Sequence, residues 1–134
     1  HEMDDESHKV GLESIVAELE AFDRLQDGWL DGEGVGLADR DRSWIPEVLL
    51  RIADDSTLGV PGIYPTPDGN IQAEWIDEEQ KLDVTAVFDL DQRTIRLELL
   101  HLDTSEADED REFAPQQTDA ILSSIADARR GGAA

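Results

Sequence analysis

Tyr64-Pro-Thr-Pro-Asp-Gly-Asn-Ile-Gln-Ala-Glu-Trp75 is where the pattern of the chain changes. Upstream of it, apolar residues recur at helical spacing; downstream they alternate. Pro65 and Pro67 each fix φ and remove a backbone donor, so no central strand can run through them. Asp68-Gly69 is a turn pair, with glycine free to take positive φ. From Asn70, Ile71, Ala73 and Trp75 alternate with Gln72 and Glu74, which places the first three on one face. The run reads as a rigid corner that launches a first strand. Only Glu74 and the loop around Asp68 are left to contact something outside the fold.

Downstream the same alternation continues. Leu82, Val84, Ala86 and Phe88 form a second strand face, and Ile95, Leu97 and Leu99 a third. The connectors Asp77-Glu-Glu-Gln and Asp89-Leu-Asp-Gln-Arg are short enough for hairpins, so the expected sheet is a three-stranded antiparallel meander. An acidic loop from Asp103 to Glu112 follows. Pro115 then opens a last helix with Ile121, Leu122, Ile125 and Ala128 on its face, and Arg129 and Arg130 near its C-terminal dipole. Upstream, Leu12, Ile15, Val16, Leu19 and Phe22 define a first helix from about Lys9 that Gly28 stops. Ser43 caps a second, whose face is Ile45, Val48, Leu49 and Ile52, ending by Asp54. The expected fold is α+β: two N-terminal helices, a three-stranded meander and a C-terminal helix. Residues 9–130 are expected to form a single domain, and residues 1–8 a disordered N-terminus whose His1-Glu-Met reads as the remnant of a tag. The other sheet face also carries apolar residues, Ile76, Val87, Leu100 and Leu102. Those need the last helix, the first loop or another chain to cover them.

Charge is the second constraint. The 134 residues carry 33 acids against 11 basic residues, a formal net charge of -22, and Lys9 and Lys81 are the only lysines. With 39% hydrophobic residues in periodic segments, disorder does not follow from that charge. Two readings remain: a salt-adapted cytosol, or a DNA mimic whose carboxylates imitate phosphates. The shortage of lysine favours the first, because mimicry requires added acid but not removal of lysine. At about 1 M salt the Debye length is ~3 Å, and the self-repulsion of such a surface is screened. The expected source is a halophilic microbe, an archaeon in particular. No basic stripe exists to neutralise phosphates, so direct nucleic-acid binding and anionic membranes are not expected. There is no cysteine, no apolar run near the ~20 residues of a membrane span and no signal peptide. A cytoplasmic location follows.

Catalytic groupings are hard to find. The chain has no Gly-x-Ser-x-Gly elbow and no Ser/His/Asp spacing that suggests a triad. His101 continues the core-facing phase of the third strand and reads as structural. Paired carboxylates such as Asp89 and Asp91 arise by chance among so many acids. Tested as a calcium loop, residues 27–38 offer Asp27, Asp31 and Gly32 at suitable offsets, but Trp29 and Ala38 stand where two oxygen ligands are needed. Gly32, Gly34 and Gly36 lack the lysine of a phosphate loop. No cofactor and no enzyme activity are expected.

Gly28-Trp-Leu-Asp-Gly-Glu-Gly34 together with Pro65-Thr-Pro-Asp-Gly-Asn-Ile-Gln-Ala-Glu-Trp75 resembles a family of small, largely uncharacterised prokaryotic proteins. Its members carry a W-x-G-x-G loop after a first helix, then P-T-x-D-G-x-I-x-x-E-W, then strands. The resemblance spans roughly residues 12–90. It implies no enzymatic activity or cofactor, and an association with gene pairs of the toxin–antitoxin or defence type. Asn70 stands where the family has glycine, and the acidic C-terminal part is an extension. The functional expectation is a protein-binding module, antitoxin-like or immunity-like, that masks a basic protein partner. A structural or regulatory homodimer is the alternative, and a divalent-metal enzyme using Asp27, Asp31 and Glu33 a third. The candidate contact residues are Trp29, Asp31, Glu33, Asp68, Glu74, Val87, Leu100 and Leu102, with Trp44 and Trp75 as further aromatic anchors.

Overall fold

Alternation builds the sheet, and the sheet has two more strands than the sequence shows. In the computed structural model, which describes residues 13–36, 41–56, 58–59, 61–102 and 109–133, five antiparallel strands follow one another in the order β1-β2-β3-β4-β5. They are β1 (Gly62–Pro65), β2 (Ile71–Asp77), β3 (Leu82–Asp89), β4 (Thr94–His101) and β5 (Glu109–Phe113). The three alternating runs are the central strands; the expectation of a three-stranded meander is wrong at both edges.

β1 was hidden by the prolines. Pro65 ends this edge strand, pairing with Ile71, where its missing N–H disrupts nothing further out. The corner is therefore itself a hairpin, with Thr66 to Asn70 as its loop. Thr66 N donates to Asn70 O at 2.8 Å, Gly69 N donates to Thr66 O at 3.0 Å, and Gly69 has φ +87°. β5 was hidden by charge. In Glu-Asp-Arg-Glu-Phe only Phe113 is apolar, and it reaches the core beside Ile95. Of the expected acidic loop, residues 109–112 are strand. The rest of it, with residues 1–12 and Ala38, lies outside the described residues.

Register decides which side is inside. Ile71, Phe88, Ile95 and Phe113 are cross-strand neighbours, as are Trp75, Val84 and Leu99, and all are buried. Residues 13–21 form α1, running on into a 3₁₀ turn, Phe22–Arg24. Leu25 then goes extended, so this helix stops three residues short of the expected Gly28. α2 is Ile45–Ser56 and α3 is Thr118–Ala133, the latter entered through a second 3₁₀ turn at Pro115–Gln117. Ser43 does not cap α2 through its hydroxyl. That group and its N–H both donate to the Asp41 carboxylate, at 2.6 and 3.0 Å, in a turn ahead of the helix. Ile15, Leu19, Ile45, Leu49, Ile52, Ile121 and Ile125 join the inward sheet residues in one buried cluster. Trp75 closes it, donating its indole N–H to Gly59 O at 2.8 Å.

Arg129 ties the layers together. Its guanidinium donates to Ser56 O at the C-terminal end of α2 and lies 3.1 Å from Asp77 Oδ2 at the end of β2. Arg129, expected beside the dipole of its own helix, is engaged at the end of α2. The Asp77 carboxylate is 9% exposed, and its other oxygen accepts the Gln80 N–H. His101 Nε2 meets Ala128 O at 3.0 Å, pinning the same end of α3 to β4. Among the described residues no helix is long and apolar enough to cross a membrane.

Arg129→Met leaves a buried carboxylate without its cation. We expect a loss of about 2–3 kcal/mol in chemical denaturation, below the ~3–5 of a fully enclosed pair because the arginine keeps some water. Adding Asp77→Asn to that variant recovers part of the loss.

Candidate functional site

Among the described residues every helix lies on one side of the sheet, and none covers its other face. Neither expected cover is there among the described residues: α3 packs against α2 and the core side of β3, β4 and β5, and the first loop, as far as Gly36, docks at the β1–β2 turn. Cross-strand register arranges the open face in rows. Tyr64, Gln72, Val87, Arg96 and Glu112 form one; Gly62, Glu74, Thr85, Glu98 and Asp110 form the next; Ile76, Asp83 and Leu100 form the third. Tyr64 is 50% exposed, Ile76 56% and Leu100 37%, a large apolar display for one side of a small domain.

The electrostatics of this face are one-sided. Among the described residues Arg96 is its one cation, and its Nε lies 3.3 Å from Glu98 and 3.9 Å from Asp110. Glu74 and Asp83 stand diagonally across β2 and β3, close enough for a hydrogen bond once one of them is protonated. Thr85 donates its hydroxyl to Asp83 at 3.2 Å. Partial burial, then the Asp83 charge and the hydrogen bond to it, hold the Glu74 carboxyl above the ordinary glutamate range. Among the described residues no cation is ion-paired to either carboxylate.

The eight expected contact residues divide into two groups. Glu74, Val87 and Leu100 lie on the open face. Leu102 follows β4 with its N–H on Lys81 O and is 50% exposed. Trp29, Asp31, Glu33 and Asp68 belong to loops at the β1–β2 corner. There the two motif segments meet, since Val35 N donates to Pro67 O at 2.8 Å. Between Trp29 and Gly32 the chain has one residue more than W-x-G-x-G. The extra residue makes Asp31-Gly32 a two-residue turn with φ 51° and 92°, closing a miniature hairpin between Leu30 and Glu33.

Trp29 folds back over this hairpin and donates its indole N–H to Val35 O at 2.9 Å. Gly34 leaves room for the ring, because a Cβ there would lie 2.8 Å from Trp29 Nε1. Asp27 accepts the Gly36 N–H at 2.8 Å, so that carboxylate shapes the loop. Trp44 packs 5.8 Å from Phe88 under the Arg93 guanidinium. These partners give all three tryptophans structural work. Tyr64 and Asp83, which sequence reasoning passed over, are on the open face. Tyr64 lies ahead of the prolines, and Asp83 is one acid among many; only register separates it from them.

Two clefts lie elsewhere. One of about 460 Å³ is bordered by Leu58, Ile76, Asp77, Glu78, Glu79 and Arg129, and one of about 290 Å³ opens between α1 and the start of α2. The first gathers acids around an arginine already engaged, and the second is mainly apolar. Among the described residues no group of three or more histidine or acidic side chains is arranged to hold a metal ion. Comparison with family models, curated proteins and solved structures finds no match to this chain.

Two variants probe this geometry. A carboxyl whose proton affinity is raised by folding costs stability once it is ionised. Glu74→Gln is therefore expected to melt higher than the parent at neutral pH. The gain should vanish as pH falls below about 4, where the carboxyl is protonated folded or unfolded. Gly34→Ala places a side chain at φ +97° against the indole. A loss of about 1–2 kcal/mol is expected, with displacement of the Trp29 indole signal in an NMR spectrum.

Proposed function

We propose that this chain is a non-enzymatic protein-binding module of a salt-adapted cytosol, docking a basic protein partner on its open sheet face in the manner of an antitoxin or immunity protein. The observation that carries the reading is a five-stranded sheet with helices on one side only and Tyr64, Ile76, Val87 and Leu100 set among carboxylates on the other. Apolar anchors within a polar, charged surround are the composition of a protein interface. The resemblance of the two motif segments to small proteins of toxin–antitoxin and defence gene pairs supports the same reading.

Co-expression with the product of the neighbouring gene in its salt-rich host tests it. A stoichiometric complex is expected that survives purification in molar KCl and is lost with Ile76→Glu and Leu100→Glu, while both variants keep the parent's melting curve. A complex that both variants retain sinks the proposal. So does a two-chain mass in light scattering that falls to one chain in the same variants, which would assign the face to a homodimer. Salt adaptation has its own measurement: the melting temperature should climb steadily from dilute buffer to molar KCl, and a flat profile removes that part of the reading.

A further inference from the structure

Resting on the docking role of the open face, we propose that its occupant is a basic amphipathic α-helix of the partner, laid along β3. The sheet edges argue against an added strand. β1 is four residues long and ends in Pro65, and β5 carries Asp110, Arg111 and Glu112, all exposed. Short, charged or proline-ended edges give a partner strand few backbone bonds. The face itself has the right width. Five strands at ~4.8 Å spacing set the outer two ~19 Å apart, room for a helix ~10 Å across.

The pattern along β3 sets what that helix must carry. Val87 stands at one end of the strip, and Ile76 and Leu100 flank Asp83 at the other, four residues along the strand. Four residues of strand are ~13 Å, and the nearest same-face spacing on a helix rising ~1.5 Å per residue is eight residues, ~12 Å. Between these ends lie Glu74 and Glu98, and Asp83 stands between the two apolar residues of the far end, so Arg or Lys at the third and fourth positions after the Val87 anchor approaches all three. Glu98 already has Arg96 at 3.3 Å; the Glu74–Asp83 pair has no cation among the described residues. An arriving guanidinium favours the ionised Glu74 carboxylate, which partial burial and then the Asp83 charge oppose. A second copy of the chain is a poor occupant. It would set the same three carboxylates against themselves with one arginine from each side.

A random peptide library of about 15 residues, long enough for four helical turns, selected on the folded chain, tests this at the lowest salt that keeps it folded. The expected binders are rich in Arg and Lys with apolar residues at helical spacing, and gain helical circular dichroism when bound. They should weaken about tenfold on the Glu74→Gln/Asp83→Asn double variant, the effect of losing one charge-assisted contact, and on Leu100→Glu. Binders that need Leu100 but lack basic residues, or bind extended, overturn the helix and leave the docking face standing. If no binder depends on Ile76 or Leu100, the helix proposal and the docking role fall together.

Discussion

Ile71, Phe88, Ile95 and Phe113 stand side by side across four strands, and this row dictates where the rest of the chain can go. A strand's side chains alternate, so a slip of one residue in any pair would turn one strand's buried set to solvent. With the row fixed, Ala73, Trp75, Val84, Ala86, Leu97 and Leu99 fall on the same side, and the three helices must cover that side. Arg129 then locks the layer by joining the last carbonyl of α2 to the carboxylate that ends β2. The open face is the other consequence of the same register.

The large acidic excess acts on this frame from outside. Most of the carboxylates are exposed and separated along strands, loops and helix surfaces, where molar salt would screen them. Several also have local structural duties. Asp41, Asp77 and Asp89 accept backbone N–H groups in turns, and Asp27 does so across the hairpin loop. An acidic side chain is a good turn-former as well as a hydrated charge. A chain rich in such residues can therefore keep its turns sharp while its net charge grows.

The sequence marks those elements whose signal is repeated and conceals those whose signal is single. β2, β3 and β4 each show three or four alternating apolar residues. β5 shows only Phe113, and its neighbour on the core side, Arg111, is exposed at the sheet edge. β1 offers Ile63 alone before Pro65, and proline argues against a strand unless the strand is known to be an edge. That knowledge comes only from tertiary pairing. The candidate site was half legible for the same reason. Alternation placed Glu74, Val87 and Leu100 on the far face, and Asp83 with Val87, but register alone sets Asp83 beside Glu74 and brings in Tyr64. The loop acids Asp31, Glu33 and Asp68 belong to a different corner, one organised by Trp29 and the Val35–Pro67 hydrogen bond.

Salt adaptation alone does not account for where the open-face carboxylates stand. A solubilising acid works best fully hydrated, and the fold has exposed positions in abundance. Glu74 is instead half-buried on a central strand beside Asp83, where desolvation and like charge both oppose its ionisation. Replacing it by glutamine would leave the hydrogen bond and remove the repulsion, at almost no loss of net charge. Local stability gives no reason to keep an acid there. The proposed docking role does, since a partner's cation flanked by apolar side chains would meet the Glu74 charge there.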